Sequence, residues 1–192
     1  MFRQDNLVFD IINQEEQTVW VTGDGILTPE VVQIPNYIVY NGEKYTVCKV
    51  KKSYSETNGY LRKDKRFKRG YERITWTDSA EGFGRNLREL IIPDSITIIE
   101  EGAFENCTSL KSITIPNGIV SIKNGAFMNC KALTSVTIGS GVKYIKQQAF
   151  YACTSLKSIT IPKNVLKIED DAFGGVWDAF EIYVMNKSTK IG

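Results

Sequence analysis

The chain has 192 residues, 42% of them hydrophobic, with a net charge of +2 and no histidine. That length holds one elongated domain or two small ones, and no apolar run reaches the span of a membrane helix. The missing histidine excludes histidine triads, histidine metal clusters and the usual proton shuttle.

Residues 1–50 read as β structure. Met1-Phe2-Arg3-Gln4-Asp5 leads into an alternating stretch rather than a signal-peptide core. This suits either a protein that stays inside or a mature form without its leader. Leu7, Phe9 and Ile11 alternate, as do Val19 and Val21, around Gln14-Glu15-Glu16-Gln17, which predicts a hairpin. Ile38-Val39-Tyr40 and Tyr45-Thr46-Val47 flank Asn41-Gly42-Glu43-Lys44 and predict a second. Between them, Ile34-Pro35 has the form of a strand ending.

Charge gathers in residues 51–73, which carry nine basic and three acidic residues and so hold +6, leaving −4 for the remainder. Tyr54, Tyr60, Phe67 and Tyr71 lie among them. Two readings stand. In one, the stretch is an insertion or eroded repeat, a solvated loop kept soluble by its charges. In the other, Arg62, Lys63, Lys65, Arg66, Lys68 and Arg69, interleaved with aromatics, bind a polyanion such as an acidic glycan or nucleic acid. Arg73-Ile74-Thr75-Trp76 then resembles a strand, with residues 77–86 as a shortened return leg.

Over residues 87–185 one segment recurs every 23 residues. Leu87, Leu110, Leu133 and Leu156 open it. The next apolar positions are Leu90, Ile113, Val136 and Ile159, then Ile92, Ile115, Ile138 and Ile161. A degraded copy places Ile182 and Val184 in the same two positions. Period-two alternation, as in Ser112-Ile113-Thr114-Ile115, predicts a strand with one buried face. Pro93, Pro116 and Pro162 end three of these strands; Gly139 and Met185 depart from that pattern. The return legs repeat Ile96, Ile119, Val142 and Val165, then Ile99, Ile122, Ile145 and Ile168, then Ala-Phe at Phe104, Phe127, Phe150 and Phe173. A unit this small cannot bury its own apolar side, so copies must stack. The phenylalanines should form a structural spine, and Cys107, Cys130 and Cys153 a column of buried thiols interchangeable with Val176. Side chains parallel at strand spacing do not converge on a tetrahedral metal. Cys48 has no evident partner.

The string Cys-x-x-Leu-x-x-Ile-x-Ile-Pro, followed by apolar-x-x-Ile-x-x-x-Ala-Phe, resembles the BspA-like class of leucine-rich repeats. The resemblance implies a right-handed solenoid of 23-residue coils, α/β by convention but β-dominated, with a parallel sheet on its concave side. It also implies a hairpin cap, which makes residues 1–50 a cap fused to the first coil, 51–73 an insertion and 74–192 the solenoid of one elongated domain. Proteins of this class are secreted or surface molecules that bind other proteins, often as adhesins. The expectation is therefore an extracellular or cell-surface protein with a protein ligand, such as a host or extracellular-matrix protein, and no small-molecule substrate.

On such a sheet the outward positions are readable. One row is Glu89, Ser112, Ser135, Ser158 and Glu181; the next is Ile91, Thr114, Thr137, Thr160 and Tyr183; the strand openings give Arg88, Lys111, Thr134, Lys157 and Phe180. These residues are the candidate protein-binding face, or equally a serine/threonine ladder that favours strand geometry and stays wet. No catalytic set, metal site or cofactor motif is predicted. Glu100-Glu101 and Glu169-Asp170-Asp171 are adjacent in sequence, so their carboxylates diverge and read as solvated loop charge. Trp177, Phe180 and Val184 predict an uncovered last coil and end-to-end pairing of two copies.

Overall fold

The computed structural model describes residues 2–4, 7–13, 15–23, 30–51, 62–63, 72–73, 83–176 and 179–192. Both predicted hairpins are present. β1 (Phe2–Gln4), β2 (Leu7–Asn13) and β3 (Thr18–Gly23) form an antiparallel meander. β4 (Val31–Gln33) stands apart from it. β5 (Tyr37–Tyr40) and β6 (Glu43–Val50) then pair antiparallel about Asn41 and Gly42, both at positive φ, as a tight two-residue hairpin requires. β7 (Arg62–Lys63) and β8 (Glu72–Arg73) pair antiparallel with each other.

Each later coil supplies two strands, one before the proline position and one on the return leg. The first kind comprises β9 (Glu89–Ile91), β11 (Ser112–Ile115), β13 (Ser135–Ile138), β15 (Ser158–Ile161) and β17 (Glu181–Val184). The return legs give β10 (Ile98–Ile99), β12 (Ser121–Ile122), β14 (Tyr144–Ile145), β16 (Lys167–Ile168) and β18 (Lys190–Ile191). The return strands form an unbroken parallel ladder that begins on β6, so the second hairpin caps the solenoid by continuing it. Even the turns are bonded from coil to coil: the amides of Phe104, Phe127 and Phe150 donate to the carbonyls of Ala126, Ala149 and Ala172 at 2.8–2.9 Å.

The neighbours of β9 are β11 and β4, with Val32 opposite Leu90. Of the strand read at Arg73-Ile74-Thr75-Trp76, Arg73 lies in β8. Residues 74–76 lie outside the described residues.

The interior is a set of columns. Phe104, Phe127 and Phe150 are fully buried, and their rings stack at centroid distances of 5.3 Å with interplanar angles of 16° and 5°. Phe173 continues the stack at 5.4 Å. Two further rings, unforeseen in the sequence, close its ends: Phe83 tilts against Phe104 at 4.8 Å, and Phe180 against Phe173 at 5.3 Å. Phe180 was expected on the outer face; instead it is half-buried against the core, because turning inward covers the last ring of the spine. The thiols form the predicted column. Cys130 and Cys153 donate from Sγ to the carbonyls of Phe104 and Phe127, each at 3.3 Å.

Left-handed backbone also recurs by column, because each coil turns the same corner. Asn106, Asn129, Ala152 and Gly175 share one corner, at φ of 64°, 60°, 55° and 65°. Asparagine and glycine tolerate this conformation; alanine does so at a cost of about 1 kcal/mol. Asn129 Nδ2 also donates to Asn106 Oδ1 at 3.0 Å. Ala152→Asn should therefore raise the unfolding free energy by about 0.5–1 kcal/mol in urea titrations; an unchanged or lower midpoint would count against it.

Candidate functional site

The strands before the proline position present one open face. Ser112 and Thr114 are exposed while Ile113 and Ile115 are buried, and the alternation repeats in β15. The observed register aligns Glu89 with Ser112 and Ser135, and Ser158 with Glu181. It likewise aligns Thr114 with Thr137, and Thr160 with Tyr183. Ile91 on β9 and Tyr183 on β17 project apolar surface, at 44% and 54% exposure. β4 widens the face by Val31 and Gln33, aligned with Glu89 and Ile91. Sequence reading missed them, although Ile34-Pro35 has the same form as Ile92-Pro93 and counting back from it finds both.

Arg88, Lys111, Thr134 and Lys157 are exposed along the strand openings. The Arg88 guanidinium lies 3.3 Å from the Glu30 carboxylate, and Thr134 Oγ1 donates to the Lys111 carbonyl at 3.1 Å. Tyr183 Oη donates to the Glu181 carboxylate, and that bond holds the phenol above its ordinary pKa. At the other edge of the coils, Glu100 pairs with Lys123 at 2.5 Å and Glu169 with Lys146 at 2.8 Å. The bond from Lys146 keeps the Glu169 carboxyl below the usual carboxylate range. Both acidic groups therefore tie one coil to the next.

The face is not continuous. Successive strands β4, β9, β11 and β13 are hydrogen-bonded in order, as are β15 and β17, but no ladder joins β13 to β15. A cleft of about 380 Å³ lies over this break, lined by both strands. The break adjoins an unusual turn. Gly139 occupies the proline position, and a Cβ there would lie 2.5 Å from the Ile115 carbonyl oxygen. At Gly141 a Cβ would overlap the Asn117 carbonyl oxygen. Ser140 clasps Asn117 Oδ1 through its amide at 2.9 Å and its hydroxyl at 3.1 Å. The turn after β13 thus rests backbone-on-backbone on the preceding coil.

The basic set is only partly placed. Arg62 pairs with Arg73 and Lys63 with Glu72 across the short β7–β8 ladder. Lys65, Arg66, Lys68 and Arg69 lie outside the described residues, as does Trp177. Burial pushes the Cys107 thiol up to about 12, and the adjacent Cys153 thiol together with burial raises Cys130 well above its ordinary value. Thiols held this way are poor nucleophiles and poor ligands.

Residues 82–192 match the family described as a BspA type leucine rich repeat region, in six copies. No curated protein matches the chain. Among solved structures, a leucine-rich repeat protein from Bacteroides ovatus ATCC 8483 is 27% identical with a TM-score of 0.69, over 95% of this chain and 40% of that one. The chain therefore spans less than half of that relative. A leucine rich cell surface protein from Faecalibacterium prausnitzii A2-165 is 23% identical, with a TM-score of 0.54 over 97% of this chain and 55% of that one. The pneumococcal vaccine antigen PcpA is 17% identical, with a TM-score of 0.63 over 97% and 50%. At these identities the last two share the fold.

Proposed function

Because the chain belongs to the BspA-type leucine-rich repeat family, we propose that it is a non-enzymatic, adhesin-like module that binds a protein ligand on the concave sheet. One observation carries the reading: an open face of small polar side chains, basic along one edge and with exposed apolar side chains at Val31, Ile91 and Tyr183, built on parallel strands interrupted between β13 and β15. Serine and threonine let a flat partner approach closely, while Lys111, Lys157 and Tyr183 supply charge and an aromatic anchor. The chain has no histidine for a triad or a proton shuttle. A cell-surface or extracellular location is supported by the fold shared with a leucine rich cell surface protein and a vaccine antigen. The natural ligand class is then a host or extracellular-matrix protein.

Binding to a panel of purified matrix proteins tests this, using the triple variant Lys111→Glu, Lys157→Glu and Tyr183→Ala. All three side chains are exposed, so the variant should fold as the parent does and bind at least roughly tenfold more weakly. Equal binding by parent and variant would reject the face. A second reading, polyanion binding through residues 51–73, rests on their +6 charge. Deleting the stretch separates the two, since only this second reading loses salt-sensitive retention on heparin. End-to-end pairing through the last coil rests on Phe180 and Val184, both half-buried. Light scattering at rising concentration decides it: a constant monomer mass would contradict pairing.

A further inference from the structure

The break between β13 and β15 has a lining unlike that of the bonded part of the sheet. Peptide groups along the two facing edges have no ladder partner, and such groups must bond to something, water included. The apolar floor is also more open here. Val136 is half-buried where Ile113 and Ile159 are 3% exposed, and Ile138 is 7% exposed where Ile115 is 1%. Among the described residues no charged side chain lines the cleft; Ser135, Thr137, Ser158 and Thr160 supply hydroxyls on either side. The volume of about 380 Å³ lies at the small end of ligand sites.

These features decide the class of occupant. A peptide strand inserted between β13 and β15 needs about two strand spacings, roughly 9.6 Å, yet Cα atoms of the two strands come within 8 Å. An ion would find no countercharge in the lining. A neutral molecule with alternating donors and acceptors and apolar C–H faces, resting over the gap rather than between the strands, meets the hydroxyls and the apolar floor together. Tyr183, outside the lining but aligned with Thr160 on the next strand and 54% exposed, offers an aromatic ring to a neighbouring unit of a longer chain. We infer that the cleft between β13 and β15 is a binding site for a neutral sugar unit of a glycan.

Titration of the ¹⁵N-labelled full chain tests this by amide shifts. The probes are glucose, galactose, mannose, N-acetylglucosamine, maltose, cellobiose and lactose at millimolar concentrations. At least one should give saturable shifts centred on β13 and β15. Thr137→Val and Thr160→Val should each weaken that binding roughly three- to tenfold. Thr114→Val, in the same row where β11 and β13 are bonded, should leave it unchanged. The conservative variants keep shape, and their dispersed spectra report folding in the same experiment. Absence of saturable shifts at both strands with every saccharide overturns the inference. So does an equal loss in Thr114→Val, or shifts at the cleft produced by glycine-rich peptides and not by sugars. Protein binding by the wider face is read separately by the double variant Lys111→Glu and Lys157→Glu, which leaves Tyr183 and the cleft lining intact, so either reading can fail without the other.

Discussion

Phe127→Ala should lower the unfolding free energy by about 3–5 kcal/mol, a large fraction of the whole for a domain of this size. Phe127 is fully buried between the rings of Phe104 and Phe150, each 5.3 Å away. Neighbouring rings cannot close the cavity, because each is fixed by its own coil and by amides that donate to the next coil. The loss therefore includes burial, stacking and an unfilled void. Phe173→Ala should cost less, since Phe173 is 9% exposed and sits nearer the end of the spine. Urea denaturation followed by circular dichroism gives both values. A loss below about 1 kcal/mol for Phe127→Ala would mean the rings do not share a packed column.

Gly141→Ala should cost about 2–4 kcal/mol or prevent folding, although the change adds one methyl group. The same repeat position holds Ser95, Gly118 and Asn164, so the turn itself does not demand glycine. What demands it is the seat of this turn on the preceding coil, where the new Cβ meets the Asn117 carbonyl oxygen. A backbone atom cannot rotate away, so the coil would have to lift and release the Ser140–Asn117 bonds. Gly118→Ala is the control. Its nearest atom, the Ile96 carbonyl oxygen, would lie 3.4 Å away, and the cost should stay under about 1 kcal/mol. Equal midpoints for the two variants would show that the close approach is not there.

These two residues also mark what sequence can and cannot disclose. The phenylalanines, the inward isoleucines and the thiol column were readable because each coil repeats the same side-chain directions, and a 23-residue interval superposes them. The outward serines and threonines followed by alternation alone. Phe83 escaped because it precedes Phe104 by 21 residues, outside the regular interval, and Phe180 because a strand opening normally points outward. β4 was recognisable as a strand ending at Ile34-Pro35. Its partner was not, because local likeness says nothing about which coil adjoins it across an insertion. Gly139 was visible as a departure from proline, whereas the meaning of the departure depends on a backbone distance between coils. The interrupted ladder beside it is of the same kind, a relation between two strands each of which looks regular alone.

Pulsed alkylation with mass spectrometry, applied to the native chain and then across a denaturant series, reads the interior directly. Cys107, Cys130 and Cys153 sit in three successive coils, all buried, whereas Cys48 is partly exposed. Stacked coils with shared columns predict that those three thiols stay unlabelled in the native protein and react only as the coils unfold. Labelling of any one of them in the native state, at the rate of a free thiol, would contradict the stacked interior on which the face and its cleft both depend.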